Sequence, residues 1–503
     1  MPENSCDIII SGAGPNGLML ACELALAGVV PIVLERTPGP STEQKANGLV
    51  GSVVRAMDMR GLYPGTPPHP VPSHLFSAMT LNFEGLHDNP MYLWPIPQPA
   101  LTALLAERAA ALGITVRWGH ALTDVTQDAD RVTATVAGPT GNRTLTAANL
   151  VAADGGKSPV RKRSGIGFPG FTATDRISRL GNASVPAELR TADGGLDVPG
   201  AGRFRFGHNR VERGIFVFAE LQPGRAIVST VEHHADPVDE NTPMTFEELR
   251  DSVTRVLGAE LPMQPLPPDM APVLRRVVGQ NTRLADRYRD GRILLLGDAA
   301  HVHSAMGGPG LNLGLQDALN LGWKLAAEVR GRAPAGLLDT YESERRPVAE
   351  RVMMQTLAQS GLVNPGPEIT ALRQLFTELL DIPGVVEHLA ALMAGADTRY
   401  DTGCAHPLAG HLAPDRTVAT PDGPRRLAEL LHPARPLLLD PTGTAPATAW
   451  SDRVDTVTVT GAPAMLIRPD GYIAWAATES DTDGLHTALT RWFGPAHHLT
   501  AAG

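Results

Sequence analysis

The sequence predicts an α/β fold built on a parallel sheet, and three observations carry that prediction. Asp7 to Ser11 is a short apolar run of strand type. It leads into Gly12-Ala13-Gly14-Pro15-Asn16-Gly17, after which a helical period begins, with Leu18, Cys22, Ala25 and Leu26 on one face and Gly28 at its end. Val29 to Leu34 reads as a second buried strand, with Pro31 tolerable only near its start, and Glu35 closes it. Strand, glycine turn, helix and strand in this order form a βαβ unit.

The remaining elements follow along the chain. Gln98 to Leu112 is a helix whose apolar face is Leu101, Leu104, Leu105 and Leu112. Thr115 to Val151 carries short alternating runs with a turn at Gly138 to Gly141, an antiparallel meander inserted into the parallel fold. Leu150 to Ala153 returns as a strand and meets Asp154-Gly155-Gly156. Between about 171 and 275 the pattern changes. Phe204/Phe206, Phe216/Phe218 and Ala226 to Val231 alternate as half-buried strands. Thr245-x-x-Glu248 is a capping box opening a helix with Phe246, Leu249, Val253 and Val256 inside. This is an α+β insert whose sheet is expected to floor a pocket. Gly291 to Leu296 resumes the parallel pattern and runs into Gly297-Asp298; a long helix follows from about Gly310 to Val329. Residues 330–395 are largely helical, and beyond Gly403 new strand and helix signals appear at Ala464 to Arg468 and Leu485 to Phe493. The expected division is 1–170, with a sheet-contributing segment near 73–97, then 171–275, 276–398 and a separate tail domain at 399–503.

Composition narrows the function. The chain has 503 residues, 43% of them hydrophobic, which rules out disorder and needs no disulfide or metal staple. A net charge of -10 disfavours a nucleic-acid role. Cys6, Cys22 and Cys404 are far apart and form no CxxC, so a disulfide scaffold, zinc ribbon or thiol redox motif is not expected. No apolar run reaches the roughly 18 residues of a membrane span, and Glu3 and Asp7 stand where a signal peptide needs basic charge. The expected setting is the reducing cytoplasm, with no nucleic-acid or membrane partner. Only four basic residues are lysine: Lys45, Lys157, Lys162 and Lys324.

The chemistry begins at Gly12, Gly14 and Gly17. Glycines at this spacing, between a strand and a helix, let the backbone approach a pyrophosphate whose charge the helix N-terminus favours. Pro15 and Asn16 lie inside the same turn. Glu35, at the end of the next strand, accepts hydrogen bonds from ribose hydroxyls and repels a 2′-phosphate, so the resident dinucleotide is FAD or NAD and not NADP. Arg36 either covers the adenine or is a solvated charge.

Two further segments separate FAD from NAD: Ala153-Asp154-Gly155-Gly156-Lys157-Ser158-Pro159-Val160-Arg161, and Gly291 to His301 with Gly297-Asp298, continued by Gly307-Gly308-Pro309-Gly310-Leu311-Asn312. With the first glycine motif they resemble the FAD-dependent aromatic hydroxylases, the group of para-hydroxybenzoate hydroxylase. The tail segments His406-Pro407-Leu408-Ala409-Gly410 and Leu466 to Trp475 resemble the polyketide branch, the angucycline and anthracycline hydroxylases, which carry a thioredoxin-like C-terminal domain. The resemblance implies a Rossmann-like FAD-binding domain, an inserted β-sheet substrate domain and that C-terminal domain. It makes Asp298 an acceptor for the ribityl hydroxyls, Gln98 a contact of the flavin chain, and Asp154 with Gly155 a link to FAD and the reducing nucleotide. The backbone at Gly310, Leu311 and Asn312 would stabilise negative charge on the reduced ring. Three positions depart from the family: Lys45 stands for an arginine, Ala305 for a proline, and Pro309 for a glutamine. Lys45, Pro309 and Gly310 are the flavin-front positions.

The implied reaction is hydroxylation of a polycyclic aromatic polyketide in antibiotic biosynthesis through a flavin hydroperoxide, with FAD resident, NADPH or NADH as transient co-substrate, and molecular oxygen. Tyr92, Trp94, Phe204, Phe206, Phe216 and Phe218 are the expected substrate contacts, with Met79 and Phe83 as further candidates. Baeyer–Villiger insertion, an antibiotic-inactivating monooxygenase and a non-catalytic antibiotic-binding flavoprotein are the alternatives. A flavin halogenase is disfavoured: Tyr92-Leu93-Trp94-Pro95-Ile96-Pro97 comes near its WxWxIP pattern, but no lysine lies between Lys45 and Lys157. No metal set is expected, since His301 and His303 have no third ligand nearby in sequence. The chain is expected to be a monomer or homodimer.

Overall fold

The computed structural model describes residues 5–233, 238–239, 242–270, 272–382, 384–443, 447–478 and 481–496. Strand β1 (Ser5–Ser11) is followed by helix α1 (Pro15–Leu26) and strand β2 (Ile32–Glu35). β2 pairs parallel on one side of β1, and the end of β3 (Gly141–Ala152) pairs parallel on the other. β3 in turn pairs parallel with β4 (Ile293–Leu295). Ile8, Ile9 and Ile10 are fully buried, as a parallel sheet covered on both faces requires.

α1 is buried from Leu18 through Leu24, more than the single face read from its sequence. It is wedged between the sheet, the helix Gln98–Ala111 and helix α2 (Pro309–Val329). β2 begins at Ile32 rather than Val29, because the amide of Val29 closes the helix end on Leu24 and Val30 is exposed. The meander is continuous with the sheet: Ala121–Gln127 and Val132–Gly138 pair antiparallel and lead into the first half of β3.

A second sheet stands against the first. Its order is 207–211, 214–222, 225–233, 170–184, 274–284 and 301–302, with antiparallel pairing throughout. The sequence boundary at 275 cuts through the strand Leu274–Leu284, which pairs along Gly170–Ser184, so this sheet continues to Leu284 and takes in His301–Val302. The helix Phe246–Leu257 covers one face. Thr245 caps it by accepting from the amide of Glu248, but the Glu248 carboxylate turns away to Arg179 and Arg276. Only half of the capping box therefore forms.

Helices α2 and α3 (Thr340–Leu362), followed by the helices Pro367–Leu379 and Val385–Ala394, carry the chain to the C-terminal domain. Its four strands run in the order 455–458, 437–440, 464–467 and 473–477, the first pair parallel and the others antiparallel, with the helix Thr482–Phe493 closing it. This is the thioredoxin-like arrangement. A thioredoxin places its cysteines after the central strand; this chain has Asp440-Pro441-Thr442-Gly443 there. The expected domain ran to 503, but 497–503 lie outside the described residues.

Candidate cofactor and substrate site

The three glycine-containing motifs meet because four parallel strands end together. Ser11 is level with Leu34 and Ala152, and Ala152 with Leu295. From β1 the chain moves to β2 on one side, while β3 and β4 lie on the other. That leaves a crevice at the carboxyl ends where the strand order reverses, the usual ligand position in open α/β sheets.

Two of the first three glycines are demanded by the protein itself. A Cβ on Gly12, whose φ is +110°, would lie 2.3 Å from the Ala153 carbonyl oxygen, and one on Gly17 would lie 2.0 Å from that of Gly12. Gly14 faces open space, with no atom within 4 Å of an added Cβ. It precedes Pro15 at the first position of α1, where the first backbone amides of the helix have no intrahelical partner. Asn16 is lodged against Gly297 and Gly314, where an added Cβ would come within 2.3 and 2.2 Å of its amide nitrogen. Its packing thus joins the turn to the Asp298 segment.

Glu35 sits at the rim. Its Oε2 accepts from the Ala13 amide at 2.9 Å, and its Oε1 accepts from the Thr37 amide at 2.9 Å and hydroxyl at 3.0 Å. These bonds hold the carboxylate beside the glycine turn. Arg36 next to it is exposed.

Asp154 and Asp298 occupy the ends of β3 and β4. The Asp154 Oδ2 accepts from the Val160 amide at 3.3 Å, while Oδ1 is buried without a partner. Burial raises the Asp154 carboxyl above its ordinary range, against the hydrogen bonds of Ser158 and Val160. Asp298 lies in the three-residue turn Gly297–Ala299 and is accessible to solvent. Protein nevertheless crowds it closely enough to raise its carboxyl too, with His301 and Lys45 opposing. An accessible carboxyl in a crowded recess suits a ligand contact.

Arg161 clamps these two strand ends. It is buried, donates to the Ala299 carbonyl at 2.8 Å and the Gly156 carbonyl at 3.0 Å, and rests 3.7 Å from the centre of the Phe168 ring.

The front of the crevice is formed by α2. Gly307 and Gly308 take left-handed φ of +78° and +66° before Pro309 starts the helix, so the amides of Gly310 and Leu311 open its first turn. The Asn312 side chain is committed within the protein, accepting from the Val50 amide at 3.1 Å and donating to the Gly308 carbonyl at 3.0 Å. The Gln98 amide donates to Ala46, beside Lys45, at 2.9 Å. The lysine is half exposed and pairs with Glu43 at 3.1 Å; Glu43 also reaches Arg275 at 3.6 Å. His303 was not singled out as a functional residue in the sequence. Its ring lies 3.5 Å from the position of a Cβ on Gly310, and burial pulls its imidazole down to about 4. Its Nδ1 donates to the Ser304 carbonyl at 2.9 Å, which leaves Nε2 as the bare acceptor. The H-x-H spacing was its only sequence signal.

His301 points away from the crevice. Its Nε2 is 2.7 Å from Asp317 in a fully buried pair. Among the described residues, no cluster of three His, Cys, Asp or Glu could hold a metal ion.

The expected aromatic contacts fall in several different places. Phe204, Phe216 and Phe218 are buried between the second sheet and the helix Phe246–Leu257, with Phe204 and Phe216 edge to face at 5.2 Å. Their alternation marked a buried face, but it was the helix-covered one. Phe206 is exposed and lies against Gly194. Trp94 is buried in the first domain's core against Tyr63, and Tyr92 packs beside that core within the electrostatic reach of Arg55, Asp415 and Arg426. Met79 and Phe83 belong to a separate core with Leu362 and Leu389.

Strand parity identifies the opposite face of the second sheet. Arg275, Leu180, Ser229, Val217 and His208 form one cross-strand row, and Val277, Ser178, Val231 and Ile215 form the next. The Arg275–Glu43–Lys45 contacts place the Arg275 end of this face beside the flavin-front loop. The period-two pattern contained these residues, but not which parity faced the crevice.

This recess fits a flavin dinucleotide: it offers an open glycine approach, a ribose-level carboxylate, an unpaired Asp154 oxygen and an accessible carboxyl at Asp298. Asp298→Ala is expected to weaken FAD binding about tenfold, the effect of losing one or two hydrogen bonds. Titration by flavin fluorescence checks this; unchanged affinity removes the role.

The FAD binding domain family profile matches residues 5–356, and the aromatic-ring hydroxylase C-terminal profile matches residues 406–496. The chain is 42% identical to a 12-dehydrotetracycline 5-monooxygenase/anhydrotetracycline 6-monooxygenase of Streptomyces rimosus, covering 97% of this chain and 99% of that one. Among solved structures, OxyS anhydrotetracycline hydroxylase from Streptomyces rimosus aligns with TM-score 0.86 and 40% identity, over 98% of this chain and all 100% of that one. CabE, an aromatic hydroxylase from angucycline biosynthesis, aligns with TM-score 0.86 and 37% identity over the same shares.

Proposed function

Because the chain belongs to the FAD-binding aromatic-ring hydroxylase family, we propose that it is an FAD- and NAD(P)H-dependent monooxygenase that hydroxylates a polycyclic aromatic polyketide in antibiotic biosynthesis. The observation that carries this reading is the recess of Gly14, Asp154 and Asp298 at four level strand ends, with Arg275 linking it to the face of the second sheet opposite the helix Phe246–Leu257.

When bound, FAD supplies the redox chemistry, accepting a hydride from the nicotinamide nucleotide and activating molecular oxygen. The protein's residues do the rest. The Gly14 turn and the N-terminus of α1 hold the pyrophosphate, Glu35 the adenosine ribose, and Asp298 the ribityl hydroxyls. The first turn of α2, at Gly310, Leu311 and Asn312, would stabilise negative charge on the ring. His303, neutral with its proton on Nδ1, offers Nε2 beside Gly310 as an acceptor. The face bearing Leu180, Val217 and Val231 receives the fused rings and excludes water.

Mass spectrometry of products from anhydrotetracycline and angucyclinone substrates, with NADPH and oxygen, tests the proposal. The expected product gains one oxygen with its carbon frame intact. Ring expansion or opening would assign Baeyer–Villiger insertion instead. NADPH oxidation without any product would reduce the chain to an antibiotic-binding flavoprotein.

Among the described residues, no helix is long and apolar enough to cross a membrane.

A further inference from the structure

A second set of charged residues lies away from the crevice, buried where the C-terminal domain meets α2 and α3. Arg468, of the C-terminal domain, donates to both Glu344 oxygens at 2.7 and 2.8 Å and also pairs with Asp470. Glu344, on α3, accepts from Lys324 at 2.7 Å and from Asn320 at 2.6 Å, both on α2. Asn320 reaches Asp470 at 3.2 Å. Lys324 and Arg468 have no exposed surface, and Glu344 and Asp470 are nearly as buried. Burial pulls the Lys324 amine down to about 8, while Arg468 and Lys324 hold the Glu344 carboxyl down at about 2.

A second chain of contacts runs from this cluster to the flavin motif. The Arg468 guanidinium lies 5.2 Å from the centre of the Tyr400 ring. Tyr400 packs on Tyr472 at 4.3 Å, and its hydroxyl accepts from Arg345 at 2.8 Å. Arg345, fully buried on α3, donates to Asp317 of α2 at 2.7 Å and to the Leu313 carbonyl at 3.2 Å. The other oxygen of Asp317 meets His301 at 2.7 Å. His301 stands three residues beyond Asp298, and Leu313 three beyond Gly310.

Buried ion pairs are poor sources of stability compared with apolar packing of the same volume. They do impose direction: each bond fixes the angle and register of the elements it joins. α2 is a stiff rod, and Asp317 lies only about 10 Å along it from Gly310. A change in how the C-terminal domain seats on Asn320 and Lys324 is therefore carried to the helix end that faces the flavin.

We propose that the C-terminal domain sets the geometry of the flavin-front loop through this relay, with Arg468, Tyr400 and Arg345 as positioning residues. The proposal rests on the flavin reading of the crevice. It gives a role to a domain that contributes none of the groups at the strand ends.

Tyr400→Phe tests it with a minimal change, removing one hydroxyl while keeping the ring between Arg468 and Tyr472. The full-length protein is titrated with FAD, and peroxide released per NADPH oxidised is measured beside thermal unfolding. The expected result is FAD affinity weakened about 3- to 20-fold, the range of coupling through packed networks, with peroxide leakage raised at least about twofold. Arg468→Lys, which keeps the charge and loses the guanidinium fork, is expected to behave likewise; Arg468→Met would do so more severely if it folds. A lowered unfolding temperature with FAD affinity and leakage unchanged in Tyr400→Phe overturns the proposal and leaves the relay merely structural. Wild-type protein that binds no FAD overturns the reading of the crevice and the coupling with it. Normal FAD binding by wild type and variant alike, with leakage unchanged in the variant, overturns the coupling alone.

Discussion

Gly14→Val is expected to yield a folded apoprotein that no longer holds FAD. The backbone at Gly14 has φ of −71°, open to any residue, and an added Cβ meets no protein atom within 4 Å. The first added carbon is therefore accommodated without a clash. The space belongs to the pyrophosphate, which must approach the backbone closely to reach the amides of the first turn. The expected loss in FAD affinity is at least 100-fold, about 3 kcal/mol, with apoprotein melting almost unchanged. The contrast with Gly17→Val makes the experiment decisive. There the new side chain would start 2.0 Å from the Gly12 carbonyl oxygen, so β1 and α1 cannot pack and folded protein should not accumulate. FAD titration of the two proteins beside wild type is the measurement. Retained affinity in Gly14→Val would remove the pyrophosphate from the turn.

Arg161→Ala is expected to damage stability and cofactor binding together. The substitution leaves the carbonyls of Gly156 and Ala299 without their donor and empties the space over Phe168. Hydrogen bonds from a charged donor contribute roughly 1.5–3 kcal/mol each, and compensating relaxation should leave a net loss of about 3 kcal/mol. Asp154 and Asp298 also lose their common mount, so FAD affinity should fall by at least tenfold. Denaturant unfolding of the apoprotein and flavin titration check the two parts. A stability loss under about 1 kcal/mol would show that the clamp is redundant.

The crevice was legible in the sequence because its determinants are local. A glycine turn between strand and helix, and an Asp after each of two apolar strands, each occupy a few consecutive residues. The strand ends that bring Gly14, Asp154 and Asp298 together follow from the parallel pairing the βαβ opening predicts. The substrate side was not legible in the same way. Period two separates Phe216 and Phe218 from Ile215 and Val217, but which set faces the crevice depends on where the helix Phe246–Leu257 docks. That is decided by elements far away in the chain, and the aromatic set went to the helix. The relay was hidden for a related reason. Asp317, Lys324, Glu344, Arg345, Arg468 and Asp470 read as ordinary charges on helices and turns; only tertiary packing buries them. Lys45 stood out as a family departure, and the structure gives it a setting: paired with Glu43, with its charge felt at Asp298.

The scarcity of lysine has a practical side. Lys324 is sealed inside the domain seam, beyond the reach of any reagent in the folded protein. The three remaining side-chain amines are exposed: Lys45 on the flavin-front loop, and Lys157 and Lys162 on the segment that follows Asp154. Amine chemistry on this protein is therefore directed by the fold itself. A dye or surface linker coupled through lysine would attach beside the cofactor crevice, reporting its occupancy in the first case and obstructing it in the second.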